Sequence, residues 1–415
     1  MKKRLEGRTL DSLPARAGSW LRERIDWRPL AGLLAKKTVP VHRQSWIYVL
    51  GGAAMFLFAL QATTGCLLML YYQPAETTAH ESVREIMTRV PYGWLIRSMH
   101  AWGANLFIAT VTLHFLTVLW TRAYRKPREL TWISGMLMLF LALAFGFSGY
   151  LLPWNELAYY ATLVGTKVPD AVPGVGGLLV HLLRGGPQVS GATLTRFYAA
   201  HVALLPLALG ALLAVHLVLI QVQGLSLPLG MSPREVRDRR PFFNEFLLID
   251  GCLWLLLFGL LATLAVLFPA EIGEKADLLK PAPEGIKPEW YFLFMFKTLK
   301  LVPETLGVAL FALAALFFLG LPLLDRNAAR ERKSPALTAV FMVVALYAAT
   351  FEMLAWADPG VRRPAETLTA ETYGPVPSTV TLLLFWAVIG FLVFYLRRLV
   401  RENAHIRNLY RQEGQ

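Results

Sequence analysis

The chain has 415 residues, of which 55% are hydrophobic and 17% charged, with a formal net charge of +13. That is too little charge and too much apolar residue for an ordinary soluble domain. The apolar residues come in blocks of about twenty, the length that crosses a bilayer core of about 30 Å. The positive charge is gathered into clusters between those blocks, which excludes a nucleic-acid-binding surface as its purpose and makes nucleic acid an unexpected partner.

Residues 1–19 read as a basic, irregular start. The segment 20–37 mixes Trp and Leu with Arg and Lys around Pro29, the composition of a segment lying on a membrane surface. The first thirty residues are charged and lack a continuous apolar core, so no cleavable signal is expected.

Eight membrane spans are predicted, lettered here A to H: 46–70, 100–120, 131–152, 197–220, 246–269, 304–324, 335–356 and 378–396. In lipid each must satisfy its own backbone, so the fold class is an all-α polytopic membrane protein. Its architecture reads as a four-helix bundle followed by four further helices. The division expected is an N-terminal segment with an interfacial helix (1–45), the four-helix domain (46–222), a linker (223–241) and a C-terminal domain (242–415). Basic clusters precede A, separate B from C, D from E and F from G, and follow H, all on one side of the membrane. The opposite loops mix signs. By the positive-inside rule both termini are cytoplasmic. Cys66 and Cys252 both fall in spans and form no disulfide framework or Cys-x-x-Cys site.

Span B carries His100 and His114, fourteen residues apart, and span D carries His201 and His216, fifteen apart. Fourteen residues of helix place two side chains about 21 Å apart on nearly the same face. Ionisable residues inside a membrane are costly, so four histidines at matching separations in two spans point to function. Two helices with a histidine near either end can clamp two flat haems stacked across the bilayer, each iron held by two imidazoles. Span A holds Gly51 and Gly65, and span C holds Gly135 and Gly149, again fourteen residues apart. A glycine lets a bulky flat ligand press against a helix backbone, so A and C are expected to flank the haems that B and D ligate.

After span C, S-G-Y-L-L-P-W leads into an outer loop to about 196, too long for a mere connector and expected to be a binding surface. The E–F loop, about 270–303, contains P-A-P-E-G-I-K-P-E-W-Y-F. Its Glu289, between Pro288 and Trp290, is placed to accept a proton from a bound hydroxyl and release it to water.

The paired histidines, the paired glycines, G-Y-L-L-P-W and P-E-W-Y together resemble cytochrome b of the quinol-oxidising cytochrome bc complexes, over about 20–325. Within 20–222, W-L-I-R-S-M-H, K-P-R-E-L-T-W, L-L-R-G-G and T-L-T-R-F-Y are closest to the four-helix cytochrome b of the plastoquinol–plastocyanin reductases. So is the fifteen-residue step in span D, where the mitochondrial branch uses fourteen. Residues from about 241 are similar to that branch's separate three-helix subunit, here fused and extended by an eighth helix.

The resemblance implies two non-covalent b-type haems: an outer, lower-potential one on His100 and His201, and an inner, higher-potential one on His114 and His216. It implies Arg97 as a partner of a haem propionate. It places Glu289 and Tyr291 in an outer quinol-oxidation pocket, with Tyr150 and the segment after Pro153 as another wall. It further implies bifurcated oxidation. One electron passes to a Rieske iron–sulfur protein docked on 150–185, and the other crosses through the haems to reduce a quinone at an inner site, with proton translocation. A c-type cytochrome, membrane lipid and a homodimeric complex in a bacterial inner membrane complete the expected setting. Neither cysteine can hold an iron–sulfur cluster, so the Rieske centre belongs to a partner. The related branch carries a cysteine at the start of span A that binds an extra c-type haem covalently. Val49 stands there, and no covalent haem is expected. For the inner quinone site His42, Arg43, Glu245 and Asp250 are the acid–base candidates, Glu245 foremost. Another dihaem membrane anchor would lack P-E-W-Y, and a haem-free transporter would need a broken-helix repeat that the sequence does not carry.

Overall fold

The computed structural model describes residues 37–277, 281–282 and 286–357, together with Phe394. Span H and the proposed surface segment 20–36 lie outside the described residues.

Seven helices among the described residues are long and apolar enough to cross a membrane. They correspond to spans A to G, with ends shifted by a few residues. The first, α1 (Val49–Met69), continues a short 3-10 turn at Ser45–Tyr48. It is followed by a surface helix α2 (Ala79–Thr88), by α3 (Gly93–Thr121) and by α4 (Glu129–Leu151). The long outer loop forms three short helices, α5 (Glu156–Lys167), α6 (Gly176–Arg184) and α7 (Gly191–Ala199). A single π-helical turn, Ala200–Leu204, joins α7 to α8 (Leu205–Gln223). The second half holds α9 (Leu247–Leu267), α10 (Trp290–Leu301), α11 (Glu304–Leu324) and α12 (Pro335–Ala357). Large apolar side chains such as Leu207, Leu255 and Leu316 are exposed on the spans, as lipid-facing positions require.

Helix α1 packs along α3, and α4 along α8, which makes two helix pairs side by side. The core between them is Leu57, Met99, Phe107, Ile108, Ala142 and Leu209, joined by Leu261 and Ala265 of α9. The second half therefore shares the core of the first.

One departure from the all-α expectation is a two-stranded antiparallel ribbon. Thr38–Val41 (β1) pairs with Asp238–Pro241 (β2), Val39 opposite Arg240. The segment 223–241 is consequently stitched down. Arg128 donates to the carbonyls of Gln223 and Gly224, Arg125 to Leu227, and Leu229 N–H to Thr121. The basic clusters between spans are thus partly staples on backbone carbonyls, although Arg234, Arg237, Arg239 and Arg240 remain exposed. At the same end Arg122 is buried beside Asp325, Nε to Oδ2 3.5 Å. Its guanidinium donates to Thr338 Oγ1 at 2.8 Å and lies over the Phe341 ring, while Tyr124 donates to Asp325 at 2.8 Å. This network joins the α3–α4 turn to α11 and α12.

At the other end, α3 grips the start of the E–F loop. Arg97 donates to the carbonyls of Ala270 and Glu271, Trp102 Nε1 to Phe268, and Ser98 Oγ accepts from Ala270 N–H. Proline shapes α10, since Pro288 precedes its start and Pro303 forces Val302 into extended backbone at its end.

Removing one partner of a buried ion pair leaves the other uncompensated, at a cost of about 3–5 kcal/mol. Asp325→Ala should accordingly lower thermal stability in detergent far more than Tyr124→Phe, which loses one hydrogen bond of about 1 kcal/mol. Equal melting temperatures for the two variants would show that the network does not hold the halves together.

Candidate functional site

The four histidines occupy the facing surfaces of α3 and of the α7–α8 helix. The fifteen-residue step from His201 to His216 is reconciled with the fourteen-residue step in α3 by the π-turn at Ala200–Leu204. A π-turn contains one extra residue, so fifteen residues with one such turn advance about as far around the axis as fourteen without it. Pro206, which has no N–H to give, follows directly in the first turn of α8.

His100 and His201 face each other with ring centroids 6.4 Å apart and planes at 73°. Two metal–imidazole bonds of about 2 Å, plus about 1 Å from each ring nitrogen to its centroid, sum to nearly that distance. His114 and His216 lie within charge–charge range of each other at the opposite end. Among the described residues no three or more His, Cys, Asp or Glu side chains come together. A pair of imidazoles alone does not bind a bare ion firmly. It suits a metal whose other ligands come from a planar macrocycle, as in haem.

The tautomer of three of these rings is fixed by hydroxyls the sequence reading did not single out. His100 Nδ1 meets Thr64 Oγ1, His201 Nδ1 meets Ser148 Oγ and His216 Nδ1 meets Ser134 Oγ, each at 2.9 Å. Each hydroxyl donates its own proton to a carbonyl of its helix: Thr64 to Leu60, Ser134 to Thr131, Ser148 to Phe145. The hydroxyl must then accept from Nδ1–H, which leaves Nε2 as the lone-pair nitrogen. Nδ1 of His114 is buried without such a partner.

The four glycines of α1 and α4 each lie against one of the four histidines. A Cβ on Gly65 or Gly135 would stand 3.3 Å from Cε1 of His100 or His216, one on Gly149 2.7 Å from Cε1 of His201, and one on Gly51 3.7 Å from Cε1 of His114. Each glycine seats one imidazole edge. The glycine and histidine intervals match because the seats are made one for one. Thr64, Ser134 and Ser148 each stand immediately before such a glycine, a pattern visible in the sequence. Arg97, expected on a propionate, has both terminal nitrogens on loop carbonyls.

On the Arg97 side, Glu289 caps α10, and Tyr291 follows it. Trp290 Nε1 donates to Asn105 Oδ1 at 2.7 Å, which fixes α10 on α3. The Tyr291 hydroxyl lies over Gly146 of α4, where a side chain would displace it. Burial, then the Glu289 carboxyl and the Tyr150 phenol, push the Tyr291 phenol up, so the three groups form one cluster. Burial likewise raises the Glu289 carboxyl above its ordinary range. Phe147 and Phe292 stack edge-to-face at 6.3 Å beside it. Helix α12 supports α10 through the Thr298–Tyr347 hydroxyl contact and through Lys287, which donates to the Trp356 carbonyl.

The inner candidates separate. Arg43 and Glu245 are exposed. His42 is buried and bonded to Tyr48 and to the Gln44 N–H. Asp250 is buried in α9 against Gly52, and its Oδ1 has no partner. An apolar groove of about 550 Å³, lined by Phe56, Leu247, Gly251, Trp254 and Phe258, contains none of the residues singled out from the sequence.

The model of the cytochrome b/b6/petB family matches residues 34–224, and that of cytochrome b(C-terminal)/b6/petD matches residues 275–374. The cytochrome b subunit of a cytochrome bc complex from Chlorobaculum thiosulfatiphilum is 47% identical over 342 residues, 81% of this chain and 79% of that one. Cytochrome b6 of Emiliania huxleyi is 44% identical over 210 residues, 51% of this chain and 97% of its own length. Among solved structures, a hyperthermophilic respiratory Complex III matches with a TM-score of 0.73 and 30% identity, over 90% of this chain and 96% of that one.

The seats grade the effect of adding a methyl group. Gly149→Ala, with its Cβ at 2.7 Å, should lower haem bound per chain most, Gly65→Ala and Gly135→Ala less, and Gly51→Ala, at 3.7 Å, least. Haem content that does not follow this order would show that the glycines serve packing alone.

Proposed function

The chain belongs to the cytochrome b/b6 family, with both family parts fused, and on that footing we propose which of its residues carry out the work of the family. It is the membrane-embedded cytochrome b subunit of a bc-type quinol–cytochrome c oxidoreductase. His100 and His201 hold one b-type haem, and His114 and His216 hold a second. When bound, the haems supply one-electron carriers across the membrane. The observation that carries this reading is the 6.4 Å separation of the His100 and His201 rings, each with its Nδ1 held by a hydroxyl. No haem is held covalently, because Val49 offers no thiol.

The residues around α10 receive quinol. Glu289 accepts a proton from the quinol hydroxyl as an electron leaves, and its place on a helix cap, outside the spans, lets it return that proton to water. Tyr291 and Tyr150, clustered with Glu289, orient the ring. Trp290, held by Asn105, keeps Glu289 at the rim. At the other end, Asp250 is the acid assigned to quinone reduction, supported by its burial and bare Oδ1. The basic end is cytoplasmic, by charge placement. The Rieske protein docks on the α5–α7 surface and receives the other electron, and a c-type cytochrome completes a dimeric complex.

A reduced-minus-oxidised spectrum with acid–acetone extraction tests the haem assignment. Two extractable b-type haems per chain are expected, and a residue of covalent haem would overturn the Val49 argument. Glu289→Gln should abolish most quinol oxidation while leaving haem content intact. Its acid limb is informative, since proton acceptance requires the carboxylate and burial raises its pKa. The wild-type rate should fall with acidification above the usual carboxylate range. The sign for stability is opposite. A carboxyl with a raised folded pKa stabilises below its unfolded pKa, and that contribution is lost as pH rises through the folded value. Glu289→Gln should therefore melt no lower than wild type at neutral pH. A variant with full quinol oxidation would remove Glu289 from the mechanism.

A further inference from the structure

The four histidine seats follow one construction with one omission. On the neighbouring helix each seat has a glycine under the ring edge. In three seats the residue before that glycine is a hydroxyl residue bonded to Nδ1: Thr64–Gly65 for His100, Ser134–Gly135 for His216 and Ser148–Gly149 for His201. In the fourth, Leu50–Gly51 for His114, the corresponding position is apolar and Nδ1 is buried without a hydrogen-bonding partner in the chain among the described residues. Leu50 stands fourteen residues before Thr64, as Gly51 stands before Gly65. Thr117 Oγ1, one turn further along α3, donates to the His114 backbone carbonyl and not to its ring. The omitted seat is also the loosest, since a Cβ added to its glycine would stand 3.7 Å from Cε1 against 3.3, 3.3 and 2.7 Å in the others.

We infer that Leu50 tunes the reduction potential of the His114–His216 site by leaving the His114 Nδ1–H bare. An imidazole whose Nδ1–H donates a hydrogen bond is the more basic ligand, because partial loss of that proton raises electron density at Nε2. A more basic ligand favours the oxidised, more positive metal and lowers its potential. The outer pair has both Nδ1 groups bonded, and the inner pair has one. The difference favours an electron on the inner site, the direction a charge crossing from the outer to the inner side must take. Nothing reacts at Leu50. It is a positioning residue that acts by what it lacks.

The inference rests on the assignment of the four histidines as haem ligands, and the experiment separates the two. The haems of the purified complex are titrated potentiometrically in wild type, Leu50→Thr, Leu50→Val and Ser134→Ala, with haem counted in each. Leu50→Thr should move the higher-potential wave downward, by up to about tenfold in its reduction equilibrium, or about 59 mV for a one-electron couple. Leu50→Val, of similar volume to Thr and without a hydroxyl, should leave it in place. Ser134→Ala should move the same wave upward. The lower wave should stay fixed in all three. Equal shifts in Leu50→Thr and Leu50→Val, or none in Leu50→Thr, would overturn the inference even with two haems present. If the Leu50 variants do not assemble, an unmoved wave in Ser134→Ala overturns it alone. Fewer than two haems in wild type would instead overturn the ligand assignment.

Discussion

The arrangement depends on one close approach, that of an imidazole edge to a helix backbone with no side chain between them. Four glycines make it possible, two on α1 for α3 and two on α4 for the α7–α8 helix. Each approach fixes the spacing and rotation of a helix pair at two heights, so α1 cannot slide on α3 without driving a Cα into a ring. The hydroxyl beside three of the glycines then fixes the ring about its own axis. The π-turn at Ala200–Leu204 belongs to the same constraint. It absorbs the extra residue of α8 and returns His201 and His216 to one face. A strict α-helix with a fifteen-residue step would turn one of them about 60° out of line with its partner.

The two halves of the chain meet on this bundle from both ends. At the basic end the link is polar and buried, with Arg122, Tyr124, Asp325 and Thr338 joined in one network. At the other end α3 uses Arg97, Ser98, Trp102 and Asn105 to hold residues 268–271 and Trp290. Arg97, expected beside a haem propionate, also spans two loop carbonyls. Its fork lies where the loop carbonyls arrive, and two carbonyls match two terminal nitrogens. Between the ends, Leu261 and Ala265 fill the same core as Leu57 and Ile108.

The spans, the histidines and the glycine intervals were all legible in the sequence, because lipid leaves the backbone few options and a buried imidazole needs a reason. The pairing of each glycine with one imidazole edge was not. An interval reveals that two residues share a face, but not whether that face meets a ligand or a neighbouring side chain. The hydroxyls escaped because Ser and Thr are common in membrane helices and bond to their own carbonyls, so one more looked unremarkable; their position before each glycine was the available signal. The β1–β2 ribbon escaped because its strands are four residues long and two hundred residues apart. The sequence put Glu245 ahead of Asp250, yet the approach of α1 at Gly52 buries Asp250 while Glu245 is exposed.

Both candidate quinone positions fall on the seam between the halves. The outer cluster takes Tyr150 and Gly146 from the first half and Glu289 and Tyr291 from the second. The inner one sets Asp250 of the second half against Gly52 of the first. This follows from the bundle itself. The facing surfaces of α1 and α3, and of α4 and α8, are taken up by rings and their seats, so neither pair has an inner face free for a second flat ligand. At both candidate positions the second half supplies the wall outside the bundle. The carboxyl groups of the two clusters, Glu289 and Asp250, both lie on that second half. A proton carrier needs a route to water, and α10 begins outside the spans, whereas every histidine seat is enclosed by helices.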